Sequence, residues 1–442
     1  MWWQVVNTFL ERKFEFVNKR KNKNIYEKIL YTILLIFLTR LLTNVPIIGV
    51  NKKILGEAFK NSEIFNLFNM FSGGGLSNLS MFALSISPYI SASIIMQLLG
   101  TMIPRLEEIQ QEGETGRKRI ERYTNAITII IGLFSAIALT NQFINIGAIP
   151  DTLFYTITTI VSLILGTVVL IVIGKKITDN GIGNGISLIL TMNILSQIPK
   201  DFMLIYNKYV VDNNNEVVAK IVMFLVIFTI IYLTIKIHET NRNVPLVYSG
   251  KLKGKKFIDG NSACLPIKLS PGGVTPVIFT TTLMAIPSMI SSVLNVKADS
   301  FMYKVTEMFK SENWFKTNSP KMTWGYVIYS LLLIMFAYIY SDIALNTKEI
   351  ANTLKTQNAT IPNIRQGAET EGFLNDIIKG TTLLGALSLI FLCTIPILLT
   401  TLLGVRVGFG GTSIIIVVSV LTEIVNQIKI ELEARRNNSF TF

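Results

Sequence analysis

His238 and Glu239 are where catalysis would be sought first, because the chain has a single histidine and it stands beside a carboxylate. A metalloprotease helix of this kind needs a second histidine four residues on, so that two imidazoles face one zinc ion. That position is Arg242. No Gly-x-Ser-x-Gly turn is present to expose a nucleophilic serine, and the cluster from Gly250 to Lys256 lacks the spacing of a phosphate-cradling loop. Cys264 and Cys393 fall in a predicted loop and a predicted span, without metal-ligand spacing, and are not expected to pair. His238 is therefore expected to be structural, at the end of an apolar run. The residues offer no cofactor site and no bond-making centre. What remains is the chemistry of charge and apolar surface.

The elements that would position such surfaces are long and apolar. Of 442 residues, 50% are hydrophobic and 16% charged, against about 25% charged in soluble domains. Apolar runs near membrane-spanning length cover roughly 29–50, 81–103, 124–146, 152–173, 182–199, 218–237, 273–294, 324–341, 380–403 and 410–428. Helices satisfy their own backbone in lipid, so ten helical spans are expected. The run at 182–199 is the least regular. Met1 to Lys28 is basic and polar, without the order of a cleavable leader, and is expected to remain as an N-terminal segment.

The net charge of +13 is unevenly distributed. With the N-terminus inside, twenty-eight of the 41 Lys and Arg fall on inner segments and twelve on outer ones, with Arg40 inside the first span. Inner loops attract the positive charge, so both termini are expected in the cytosol, with 430–442 as a cytosolic tail. Two inner connections, about 238–269 and 342–379, exceed what a connector needs. The first carries Lys251, Lys253, Lys255 and Lys256. They read either as solvated loops drawn to anionic lipid or as a docking surface for a cytosolic partner.

Short motifs repeat five spans apart. Gly183-Asn184-Gly185-Ile186-Ser187 opens the fifth span and Gly410-Gly411-Thr412-Ser413 the tenth. Ser87-Pro88-Tyr89-Ile90 in the second matches Thr275-Pro276-Val277-Ile278 in the seventh. Spans five apart run in opposite directions, the arrangement of inverted repeats with a pathway at their interface.

These motifs, with Asn69 to Ser77, Ser87 to Ile95, Glu112 to Lys118, Leu265-Pro266-Ile267-Lys268 and Ile364-Arg365, fall in family order across nearly the whole chain. Together they resemble the SecY family of protein-conducting channels. The resemblance implies an all-α integral membrane protein of ten transmembrane helices, in two pseudo-symmetric inverted halves (29–200 and 201–429) around a central pore. It maps an apolar pore ring onto Ile90, Ile94, Ile186, Leu190, Ile278 and Ile416, with Thr282 on the pore side. A plug is expected at about 70–84, around Phe71, Ser72, Gly73, Gly74, Gly75 and Leu76. Three glycines weaken a helix, which suits a short element that must leave its seat. Arg365 resembles the family arginine used by motor and ribosome. Asn363 and Gln366 replace the usual glycine and proline, and are expected to loosen that loop tip. Arg40 is expected to make structural hydrogen bonds near Pro46.

The function so implied is translocation of unfolded polypeptides across, and insertion of proteins into, a bacterial plasma membrane. Its partners would be a SecA-type ATPase or the ribosome, SecE-like and SecG-like small subunits, unfolded substrates and the lipid bilayer. Two other readings share some of these features: an accessory paralogue with few clients, and a secondary transporter. A transporter needs polar residues at its midplane, and the midplane placed by these motifs is aliphatic.

Overall fold

The computed structural model describes residues 25–51, 54–55, 69, 71–206, 217–248, 251–253, 256–258, 262–293, 300–315, 322–403 and 411–439. Among the described residues, ten long helices stand in the expected order: α1 (Ile25–Thr43), α2 (Ser87–Met102), α4 (Glu114–Asn145), α5 (Leu153–Asn180), α6 (Gly185–Tyr206), α7 (Val217–Glu239), α8 (Thr275–Val293), α10 (Thr323–Ala344), α12 (Ala368–Leu403) and α13 (Gly411–Ser439). Short helices α3 (Pro104–Gln111), α9 (Phe301–Phe309) and α11 (Thr347–Thr356) lie between them. Among the described residues, five helices are long and apolar enough to cross a bilayer by length and composition alone, and two apolar helices are shorter. Apolar side chains such as Phe134, Leu331, Leu384 and Phe391 remain exposed on the long helices. That is the surface a lipid-facing helix presents.

Local sequence sets where the helices begin. The repeated motifs lie at helix starts: Pro88 and Pro276 each occupy the first turn, of α2 and α8. A proline there loses no hydrogen bond and arrives with its φ already helical. The irregular run at 182–199 is a continuous helix from Gly185 onward and carries Pro199 inside it. The run at 81–103 is helical only from Ser87, and α12 covers the run at 380–403 and extends back to Ala368.

The main contacts fall within the first five long helices and within the last five. The two groups meet along two seams. One joins α8 to α2 and α4; the other joins α13 to α6. Lys28 adds an ion pair to Glu431, 2.5 Å away, between α1 and α13.

The long connections are not plain loops. After α7 the chain forms β1 (Asn241–Tyr248), β2 (Lys251–Lys253), β3 (Lys256–Ile258) and β4 (Ser262–Lys268), and β5 (Ala359–Thr360) follows α11. Strands β1 and β4 pair antiparallel, and Val247 and Tyr248 pair with Thr360 and Ala359. One sheet, ordered β4-β1-β5, thus ties the two connections together. It covers its own small core of Val244, Leu246, Ile267, Leu354, Ile361, Leu374 and Ile378. The helical frame stands, and strands must be added to it.

Candidate functional site

The residues mapped to the ring come from α2, α6, α8 and α13, the helices of both seams. Ile90, Ile94, Leu190, Ile278 and Ile416 belong to one buried apolar cluster, and Ile186, partly buried, packs against it. Ile416 has no exposed surface at all. Thr282 is partly buried, and its hydroxyl donates to the Ile278 carbonyl one turn back, 2.7 Å away. Its polarity is thereby spent within its own helix.

Residues 71–86 fill the region beside this cluster without regular structure beyond turns. Asn69 to Ile86 carries no charged side chain. The segment reaches in two directions. Phe82 belongs to the buried cluster that contains the ring residues and Phe71 packs against that cluster, while Leu76, Leu79 and Ala83 enter a second core with Ile47, Leu55, Phe143 and Leu163. Its turns close on themselves: Ser72 Oγ accepts from the Leu76 amide, and Asn69 Oδ1 accepts from the Ser77 amide. An edge contact pairs Pro46 with Ser80.

Arg40 makes structural hydrogen bonds through its guanidinium. Nη2 donates to the Gly73 carbonyl at 3.0 Å, and Nη1 donates to Asn193 Oδ1 at 3.2 Å. The Asn193 amide in turn donates to the Phe71 carbonyl (3.0 Å) and to Ser85 Oγ (3.1 Å). Ser85 also donates to the Phe71 carbonyl, at 2.9 Å. No ion pair involves Arg40 among the described residues. Gly73 is required here twice over. Its φ is +63°, and a Cβ would lie 2.3 Å from Arg40 Nη1 and 2.7 Å from Asn193 Oδ1. Asn193 was missed from sequence, although an asparagine inside an apolar span is itself a signal.

The tip after β5 accommodates both replacements in its backbone path. Asn363 adopts φ +64°, and asparagine tolerates that left-handed conformation better than most residues other than glycine. The Gln366 amide donates to the Ala359 carbonyl at 3.3 Å. Arg365 is exposed, while its carbonyl accepts from Thr370 Oγ1 at 2.7 Å and its amide donates to Glu369. Lys251, Lys253 and Lys256 lie on the β2–β3 ribbon; Lys255 lies outside the described residues. At the end of α7, His238 Nδ1 pairs with the Thr234 carbonyl at 3.1 Å.

The SecY family model matches residues 80–425. The protein translocase subunit SecY of Buchnera aphidicola subsp. Schizaphis graminum (strain Sg) is 33% identical over 427 residues, covering 94% of each chain. A solved SecY structure, described as one in which the plug domain stabilises the closed state and maintains a membrane seal, aligns with TM-score 0.66 at 17% identity. Sec61 from the canine ribosome–channel complex of the endoplasmic reticulum aligns with TM-score 0.63 at 18% identity. Each of the two covers 93% of this chain and 93% of its own. With the matched region spanning most of the chain and the fold shared throughout, this chain belongs to the SecY family.

Proposed function

We propose that this chain is the channel subunit of a protein translocase, passing unfolded polypeptides across a bacterial plasma membrane and releasing membrane proteins into it. One observation carries the reading: an uncharged, self-bonded segment fills the space beside an apolar cluster built from the helices of both seams. A collar of Ile90, Ile94, Ile186, Leu190, Ile278 and Ile416 strips an ion of water without replacing it, so ions are held back. The same collar demands no particular hydrogen bond, so it can spread around any side chain of a passing polypeptide. Residues 71–86 act as the plug on that collar. Parting of α8 from α2 and α4 opens a route sideways to lipid.

The chain contributes no catalysis of its own; work comes from a partner. The sheet-bound connections, with Arg365 at their tip and the lysines of β2–β3, form the docking face for a SecA-type ATPase or the ribosome. SecE-like and SecG-like subunits cover part of the exposed apolar surface. Both termini and the docking face lie in the cytosol.

The test is an arrested translocating polypeptide, with a photo-crosslinking residue placed in turn at Ile278, Leu190 and Phe134. Crosslinks to the polypeptide are expected from the first two, and crosslinks to lipid from Phe134. Lipid-only crosslinks from all three positions would remove the pathway from this seam.

A further inference from the structure

We infer that Arg40 and Asn193 form a carbonyl clamp that holds the plug and sets how readily it leaves. The inference rests on the channel reading and concerns residues outside the apolar collar. Arg40 is a charge within a membrane span, a costly placement that ordinarily draws a partner. Its two side-chain bonds run to neutral acceptors, the Gly73 carbonyl and Asn193 Oδ1. Asn193, 5% exposed, spends its own amide on the Phe71 carbonyl and Ser85. Ser196 adds a weaker contact to the Gly73 carbonyl at 3.4 Å. Helices α1 and α6 therefore grip the main chain of one short segment at Phe71 and Gly73. Everything gripped is backbone or a serine hydroxyl, so the clamp reads the path of the segment and not its side chains.

The consequence is a threshold. Departure of the plug breaks the Arg40–Gly73 and Asn193–Phe71 bonds together, and their donors must then find water or other carbonyls. Hydrogen bonds to charged groups are the stronger kind. Loss of the clamp should raise the open fraction about ten- to a hundredfold. Lysine in place of Arg40 can reach one acceptor as a point charge but cannot span both with a planar fork. Arg40→Lys should therefore fall between wild type and Arg40→Gln.

The experiment uses the full chain in proteoliposomes, with the native cysteines replaced and Leu76→Cys as reporter. Leu76 is 1% exposed, so its thiol is protected while the plug is seated. Substrate-free ion leak and labelling of that thiol by an impermeant reagent are measured for Arg40→Gln, Arg40→Lys, Asn193→Leu and Arg40→Gln/Asn193→Leu. Both rates should rise about tenfold or more in the single glutamine and leucine variants. The double variant should add little, because both changes break one junction. Gly73→Ala, which drives a Cβ onto the guanidinium, repeats the test from the plug side should Arg40→Gln fail to accumulate. Unchanged leak and labelling in inserted Asn193→Leu and Gly73→Ala protein, or fully additive effects, overturn the clamp. Polypeptide transport by those same vesicles is the separate readout, and its persistence would leave the channel reading standing.

Discussion

Asparagine at Ile416 places a hydrogen-bonding group inside a buried apolar cluster. Ile416 is fully buried in the cluster that also holds Ile90, Leu190 and Ile278. An amide buried without partners costs about 1–3 kcal/mol by protein mutational data. The aliphatic burial lost with it is worth about 1.5–3 kcal/mol more. Both penalties bear on the closed state. Once the collar is parted and wet, water satisfies the amide. The amide contribution alone shifts the closed-to-open equilibrium about five- to a hundredfold. Leucine is the control, since it keeps volume and apolarity and brings no polar group. The assay is liposome conductance without substrate for wild type, Ile416→Asn and Ile416→Leu, beside export of a client with a defective signal sequence. Asparagine should raise the leak and relax signal selection together. Equal, low leak from asparagine and leucine variants, with selection unchanged, refutes the placement of Ile416 in the collar.

Three further outcomes are expected. In a background without Cys264 and Cys393, Gln366→Cys should react with an impermeant thiol reagent only after cells are opened; labelling in intact cells reverses the topology. Arg365→Glu should stop motor-driven export while leaving the protein inserted, since the charge it reverses is exposed; normal export removes Arg365 from the docking face. Leu246→Ala, in the core beneath the sheet, should cost about 2–5 kcal/mol locally, seen as faster proteolysis between α7 and α8 in detergent; unchanged cleavage would mean the small core is not what holds the sheet.

The helical frame was legible because it depends on composition. A run of twenty apolar residues specifies a span without reference to any distant partner, and Pro88 or Pro276 marks its start locally. The sheet was not legible for the opposite reason. β5 is two residues long, and its partner Val247 lies 113 positions away. Pro245 and Pro266 also interrupt the runs that would read as strands. Proline is tolerated at Pro245 because β5 pairs only with Val247 and Tyr248, leaving that part of β1 flanked on one side.

Asn363 and Arg40 show why side-chain partners were harder to read than elements. The replacement of glycine at 363 suggested a looser tip, yet the position asks only for a positive φ, which asparagine supplies. The polar side chain beside it, Gln366, then finds a carbonyl across the turn. Arg40 was correctly marked as structural, because an intramembrane charge must be satisfied somewhere. Its acceptors could not be named, since a backbone carbonyl leaves no mark on sequence. Asn193 and Ser85 stand 153 and 45 positions from Arg40, and nothing in the sequence joins the three. The same property makes the arrangement usable in a channel. Held by its main chain, the segment 71–86 needs no charged side chain of its own, as the proposed seal requires, while the charge that bonds it sits on α1.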